Sequence, residues 1–384
     1  MSVEITSGEW LRVLLPGAIT TAAAAAQVSR LNAIDWEKPL DLDLADVTQV
    51  DMAGLTTLLS VLNERSATGR ETRISMPRDP AVTELLLESA FPSAAAMVSR
   101  PQFRSLIWGA DVVPIHDRVR LLRPSPSRPS STAYERLRDE RFFGFVTYSF
   151  QAEPQIASVV ATERSRWRGP LVLSFLDSAL AHDGAEVARV VIHELLANAV
   201  LHPGGDVVTI SSWVTPTGSG RAELTISVWD NGDSMIRALR TGLSAQRSLR
   251  VADAGVDDTF AVEASGWQPR LSKYPANWTP DATAADEELL LAALFPGISH
   301  RTADAGPRRA FPHGYGLHAL YRCAVDLFGG SLEIRTGCQQ LNLAGNRLRR
   351  QRGTRRYRAH LARLTGRPLH GNLLTVRLPL RHAR

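Results

Sequence analysis

Cysteine is nearly missing from this chain. Two residues, Cys323 and Cys338, among 384 exclude a disulfide framework. Neither has metal-ligand spacing, so both read as small packing residues in a reducing compartment. Long apolar runs are missing too. None approaches the roughly 18 residues needed to span a bilayer. The opening MSVEITSGEW has no basic segment and no apolar core, so no secretory signal is expected. The expectation is a cytoplasmic protein with no membrane partner. Several catalytic signatures fail as well. No GxxxxGK[ST] phosphate loop occurs. His193-Glu194 would begin a zinc-protease HExxH, but Ala197 stands where the second histidine belongs. Gly314-Tyr315-Gly316-Leu317 lacks the third glycine of a dinucleotide fingerprint.

Acidic residues are missing from one stretch only. Cys338 to Arg384 holds twelve arginines and no Asp or Glu, leaving 32 of the 44 basic residues against all 39 acids elsewhere. A basic tract on an otherwise acidic protein suits nucleic acid or an acidic protein surface. Tyr357 is alone among these arginines, which argues against a groove that stacks single-stranded bases. Nucleic acid is therefore a weaker expectation than a solvated loop.

What is present is a globular composition, 44% hydrophobic and 22% charged, with length for two or three domains. Early segments alternate in type. Residues 9 to 17 read as a strand with a Pro-Gly turn, and Thr20 to Ile34 as an alanine-rich helix. Lys38 to Val47 alternates leucine with aspartate as a half-buried strand does. Asp51 caps a helix with the stripe Leu55, Leu58, Leu59 and Leu62, ended by Gly69. A short strand (Glu71 to Met76) and a helix (Ala81 to Ala90) follow. LLRPSPSRPSSTA, residues 121 to 133, marks a linker.

Beyond it, Phe142 to Phe150 reads as a strand and Glu153 to Trp167 as a helix. Leu171 to Asp177 reads as a short strand or helix, with Asp183 ahead of the next helix. VVIHELLANAVLH, from Val190 to His202, is that helix, and it puts Glu194, Asn198 and His202 on one face at i, i+4 steps. A carboxylate can take a proton from a nucleophile, and an amide oxygen can ligate Mg²⁺. In RAELTISVWDNGDSM, Leu224, Ile226 and Val228 alternate with Thr225, Ser227 and Trp229. Asp230 shares the parity of the apolar set, so it points at the covered face and needs a partner there. Asn231-Gly232 turns the chain. Pro312-His313-Gly314-Tyr315-Gly316-Leu317 then opens a helix behind glycines whose N–H groups suit phosphate.

ExxxN on a helix, a strand ending in DxG, a long loop and GxGL before a helix together resemble the GHKL family of ATP-binding domains. That family includes gyrase-type and chaperone ATPases, histidine kinases and anti-sigma-factor serine kinases. The resemblance covers residues 140 to 384. It implies Glu194 as general base, Asn198 as Mg²⁺ ligand, Asp230 as acceptor of the adenine amino group and Gly232 as room for the base. It also implies Gly314 and Gly316 as amide donors to phosphate and Leu317 as the start of the next helix. Residues 233 to 313 would be a lid containing a helix, Ala285 to Phe295, with Arg301, Arg308 and Arg309 as candidates to reach the γ-phosphate. In place of the family's closing Gly-Thr, the chain reads Gly371-Asn372 before its last strand. Asn372 is then expected to contact adenine with altered strength. The arginine-rich stretch within 338 to 369 would be a hairpin insertion on one edge.

DLADVTQVDMAGLTTLL, from Asp43 to Leu59, resembles the STAS domain of anti-sigma-factor antagonists, with Asp51, Gly54 and Leu55 matching. Ala53 stands where that family carries its phosphorylated serine, and Thr56 and Thr57 read as plain helix residues.

The expected fold is α/β: a STAS-like domain over 1 to 120, a linker over 121 to 139, and a GHKL sandwich over 140 to 384 whose mixed sheet is covered by helices on one face. The expected function is an Mg·ATP-dependent, anti-sigma-type serine kinase whose own STAS-like module cannot be phosphorylated. Its partner would be a STAS-type protein or another sigma-factor regulator, and such relatives pair as dimers. The alternative is a nucleotide-gated binding switch without phosphoryl transfer. A nucleic-acid-associated ATPase rests on the arginine tract alone.

Overall fold

The computed structural model describes residues 3–5, 11–15, 17–20, 38–69, 72–99, 137, 142–149, 153–180, 182–201, 205–216, 222–244, 258–264, 270–272, 283–295, 316–345, 355–364 and 368–381. The chain is mixed α/β with parallel and antiparallel strand pairs. It divides into two compact units. One comprises Met1–Ser149, Val207–Trp213 and Thr365–His370; the other comprises Phe150–Asp206, Val214–Leu364 and Gly371–Arg384.

In the first unit, strands β1 (Val3–Ile5), β2 (Leu11–Leu14), β4 (Leu40–Asp43) and β6 (Thr72–Ser75) form a sheet in the order β1-β2-β4-β6. Its β2, β4 and β6 run parallel, while β1 is antiparallel to β2. Strands β3 (Gly17–Ile19) and β5 (Val47–Val50) make a separate parallel pair. The single strand expected over Lys38 to Val47 is thus two short ones. Asp43 breaks it: it is buried rather than solvated, pairs with Arg12, and accepts the Ala45 N–H at 2.8 Å, which turns the chain. The helix expected over 20 to 34 lies outside the described residues, apart from Thr20.

Helix α1 (Met52–Ala67) begins where Asp51 accepts the Gly54 N–H at 2.7 Å. Leu55, Leu58, Leu59 and Leu62 are all buried, as the stripe predicts. Gly54 is dictated by its neighbour: a Cβ there would lie 2.3 Å from the Ile19 carbonyl oxygen. Helices α2 (Pro80–Glu88) and α3 (Phe91–Val98) follow, joined through Ala90 at φ 56°, a left-handed residue without being glycine. The sequence pattern predicts α2 but not α3. Strand β7 (Gly144–Ser149) leans on this joint. Phe145 donates its N–H to the Ser89 carbonyl at 2.7 Å, and its ring meets Phe91 edge-on. β7, expected to open the C-terminal domain, falls in the first unit together with its antiparallel partner, Val207–Trp213.

In the second unit, helix α4 (Glu153–Trp167) has the expected bounds, and α5 (Pro170–Ala179) resolves the strand-or-helix choice as a helix. Helix α6 starts with a π-helical turn, Val187–Val191, and continues as Ile192–Leu201. It packs against α4 and against strand β9 (Ala222–Asp230). Every residue of β9 from Leu224 to Asp230 is buried, Trp229 included, so both faces are covered rather than one.

Strand β8 (Val207–Pro216), whose residues to Trp213 belong to the first unit, precedes β9, and helix α7 (Met235–Ser244) follows it. The segment expected as a lid also carries β10 (Asp258–Ala264), β11 (Arg270–Ser272) and helix α8 (Asp286–Ala292). Helix α9 runs Gly316–Tyr321 and ends in a π-helical turn, Arg322–Leu327. Strands β12 (Ser331–Gly337), β13 (Gln339–Gly345), β14 (Arg355–Arg363) and β15 (Leu369–Pro379) complete a sheet ordered β11-β10-β14-β13-β12-β15-β9 across this unit. In the arginine-rich stretch, β13 and β14 pair as the arms of the expected hairpin would, but β14 is not at an edge. β14 pairs antiparallel with β13 and parallel with β10, which lies outside it. Among the described residues no single helix is long and apolar enough to cross a membrane.

Two substitutions test the start of α1. Gly54→Ala should cost about 1–3 kcal/mol through overpacking against Ile19, and Asp51→Ala about 1 kcal/mol through loss of the cap. Denaturant melts read both, and a Gly54→Ala chain as stable as wild type would contradict the close approach.

Candidate functional site

The expected site residues of the second unit gather into two clusters. One lies between α6 and α9. Glu194 and Asn198 share a face of α6, and Gly316, the first residue of α9, comes against both. A Cβ on Gly316 would lie 2.6 Å from Glu194 Oε2 and 3.5 Å from Asn198 Oδ1. The carboxylate thus occupies the space that a side chain at 316 would need. Glu194 is buried, and no hydrogen bond holds its carboxylate among the described residues. Burial therefore pushes its pKa above the ordinary carboxylate value. Asn198 donates its Nδ2 to the Glu194 carbonyl at 2.7 Å, which leaves Oδ1 as an acceptor on the same side. A carboxyl that holds its proton too high, next to an amide oxygen open to a cation, is chemistry for proton transfer beside a metal. Leu317, next to Gly316 in α9, is buried. Gly314, His202, Arg301, Arg308 and Arg309 lie outside the described residues.

The other cluster closes the end of β9. β15 pairs with β9 so that Asn372 stands directly opposite Asp230. Both side chains are fully buried. Asp230 Oδ1 accepts the Gly232 N–H at 2.9 Å and Asn372 Nδ2 at 3.1 Å, and Oδ2 receives the same Nδ2 at 3.3 Å. Desolvation outweighs these donors and pushes the Asp230 carboxyl up from 3.8 to about 8. Asn372 has no spare capacity. Its Nδ2 also donates to the Asp233 carbonyl at 3.0 Å, while its Oδ1 accepts the Met235 N–H and the Thr336 hydroxyl, both at 2.7 Å. An amide has two donors and two acceptor lone pairs, and all are taken by protein groups. Asn372, expected to contact adenine, here makes its hydrogen bonds to the protein itself. Gly371 allows the approach. At φ 84°, its absent Cβ would fall 1.6 Å from the Asp230 carbonyl oxygen.

A clasp holds the turn beyond Asp230. Asn231 Nδ2 donates to the Asp206 carboxylate at 2.8 Å, and Asp206 returns its N–H to Asn231 Oδ1 at 2.9 Å. Gly205 lies so close to Gly232 that a Cβ would be 3.0 Å from its nitrogen. Because α6 packs on β9, the two clusters belong to one sandwich of helix on sheet. Sequence reasoning missed Thr336, Asp206, Gly205 and the Met235 amide. None sits in a recognisable spacing; only the strand pairing and loop crossing bring them in.

In the first unit, Met52 to Leu55 are buried and Asp51 is half-buried. Ala53 is 2% exposed, so its position faces the interior. Thr56 and Thr57 donate their hydroxyls back to the Met52 and Ala53 carbonyls at 2.6 and 2.8 Å, as plain helix residues do.

The sequence matches no known family model, and no curated protein matches it.

Asp230 sets a pH dependence of stability. Its carboxyl holds a proton in the native state that the unfolded chain releases near 3.8. The stabilisation is complete below that pH and is lost as pH rises to about 8. Asp230→Asn, which keeps an acceptor for Gly232, should lose less stability than wild type across that window. Denaturant melts at several pH values would show it, and parallel profiles would contradict a buried, proton-holding carboxyl.

Proposed function

We propose that the second unit binds Mg·ATP, and that the protein is a serine-kinase-like regulator acting on another protein. The observation that carries this reading is the meeting of Glu194, Asn198 and Gly316, three residues whose roles in the GHKL resemblance require them to be neighbours, with Gly316 far from the other two in sequence. The buried Asp230 behind a glycine turn supports the same reading, since a carboxyl there suits the amino group of a purine. Asn198 Oδ1 would hold Mg²⁺. Among the described residues no cluster of three His, Cys, Asp or Glu can hold a metal by itself. Mg²⁺ suits such a site because it keeps waters and takes its other ligands from substrate phosphates.

When bound, the nucleotide supplies a transferable phosphoryl group, and the chain positions what reacts with it. Glu194, deprotonated, would take the proton of an incoming serine hydroxyl or water. Its raised pKa makes it a stronger base than a solvated carboxylate. Activity should therefore fall on the acid side with a midpoint above the usual carboxylate range. The partner would be a STAS-type protein or another sigma-factor regulator in the cytoplasm. The chain's own STAS-like unit would be a docking module, since Ala53 has no hydroxyl and lies buried.

A second reading is a nucleotide-gated switch without phosphoryl transfer. The observation favouring it is that Asn372 is wholly engaged by the protein, which ties the base pocket to structure rather than to turnover.

Calorimetry and phosphate release decide between them. Wild type should bind Mg·ATP, and Asp230→Ala should abolish binding. Glu194→Gln should keep binding and lose turnover by about 10²–10⁴-fold. Binding without turnover on any STAS-type substrate would favour the switch, and no binding by wild type would sink both readings. Ala53→Ser should gain no phosphate when the protein is incubated with ATP; modification at that position, read by mass spectrometry, would show the site to be reachable.

A further inference from the structure

Helix α7 starts in an unusual way. A helix leaves its first N–H groups without partners in its own backbone, and a local side chain commonly supplies one. Ser234 does so for Arg237, whose N–H reaches its Oγ at 3.2 Å. The first amide of the helix goes elsewhere. Met235 donates to Asn372 Oδ1 at 2.7 Å, on β15, and to Thr336 Oγ1 at 2.8 Å, on β12. The Thr336 hydroxyl in turn donates to the same Asn372 Oδ1. The other end of that amide group holds the Asp230 carboxyl and the Asp233 carbonyl. One rigid side chain thus grips the acid at the end of β9, the turn after it, and the first turn of α7.

We propose that Asn372 is a positioning residue that relays occupancy of Asp230 to the N-terminus of α7. The inference rests on the reading of Asp230 as the acid that meets a purine amino group. Oδ1 already accepts the Gly232 N–H and Asn372 Nδ2, so an incoming amino group meets Oδ2, where it draws on the oxygen that the same Nδ2 reaches at 3.3 Å and weakens that longer bond. The amide group is planar, and its four hydrogen-bonding sites are all filled, so it cannot shift at Nδ2 without shifting at Oδ1. What Oδ1 holds is the Met235 N–H and the Thr336 hydroxyl. The base alone is therefore enough to change the start of α7, and no phosphate contact is required.

Adenosine, which carries the base and no phosphate, is the probe, alongside Mg·ATP. Hydrogen exchange is followed at the amides of Met235, Ile236 and Arg237. In wild type, saturating adenosine should change their exchange by about tenfold or more, within the usual range of coupling between sites, and Mg·ATP should do no more at these positions. Thr336→Val, close in shape, cuts one branch of the relay and leaves the Asp230–Asn372 bonds in place. Asn372→Ser cuts both. Thr336→Val should bind adenosine within about tenfold of wild type while the response at 235–237 shrinks; Asn372→Ser, which also removes a partner of Asp230, is compared at saturating adenosine, where the response should vanish. A purely structural role would weaken binding or stability and leave the response of the bound form intact.

A change that requires the triphosphate, or that persists in Thr336→Val and Asn372→Ser, overturns the relay and leaves the nucleotide pocket standing. Failure of wild type to bind either probe overturns both the pocket and the relay. Should Asn372→Ser not fold, Thr336→Val with the two probes separates the same outcomes.

Discussion

A carboxyl group buried at the end of a central strand is a constraint that its surroundings must meet. Asp230 has no charged partner among the described residues, so the groups around it supply hydrogen bonds and close approach instead. Asn372 must face it from the next strand, which fixes the register of β15 against β9. Gly371 must be glycine for the backbone to pass the Asp230 carbonyl. Gly232 must follow closely enough to return its N–H. A slip of one residue between these strands would turn Asn372 to the opposite face and leave the acid unsatisfied. The polar cluster therefore specifies pairing in a region where Leu373, Leu374, Val376, Ile226 and Val228 would tolerate alternatives.

Absent side chains do similar service in three places. Gly316 leaves room for the Glu194 carboxylate, Gly371 for the Asp230 backbone, and Gly54 for the Ile19 carbonyl. In each case a chemically active or capping carboxyl belongs to the same local arrangement. The acids differ in consequence. Asp51 points at the first turn of a helix and serves it as a cap. Glu194 and Asp230 are buried with too few donors, and both retain protons beyond the ordinary range. The first unit thus uses Asp51 for folding, while the second keeps two acids buried and short of donors.

Much of this is legible in the sequence where periodicity is strong. The cap at Asp51, the leucine stripe of α1, the bounds of α4, the Glu194–Asn198 face and the strand ending in Asp230 all follow from spacing. What escapes has physical reasons. Helix α3 follows α2 through Ala90 in a left-handed conformation, which no glycine or asparagine announces. Helix α7 opens behind Ser234, which caps it locally, but its first amide is satisfied from β12 and β15, which no local pattern reports. The one-sided view of β9 misses Trp229, because burial on a second face is a tertiary fact that alternation cannot report. The protein partners of Asn372 lie on β9, β12 and α7 and in the turn before α7, which only pairing brings together.

The place of β14 changes how the arginine tract can be approached. Read as an inserted loop, it invites deletion. As a strand with β13 on one side and β10 on the other, it carries β10 and β11 on its outer edge. Over Arg358 to Leu361, exposed Arg358 and His360 alternate with buried Ala359 and Leu361, so there basic side chains and core positions interleave. The charge is therefore separable from the fold only one residue at a time. Excising the segment would amputate two further strands along with its arginines, and any loss of binding would then report a broken sheet.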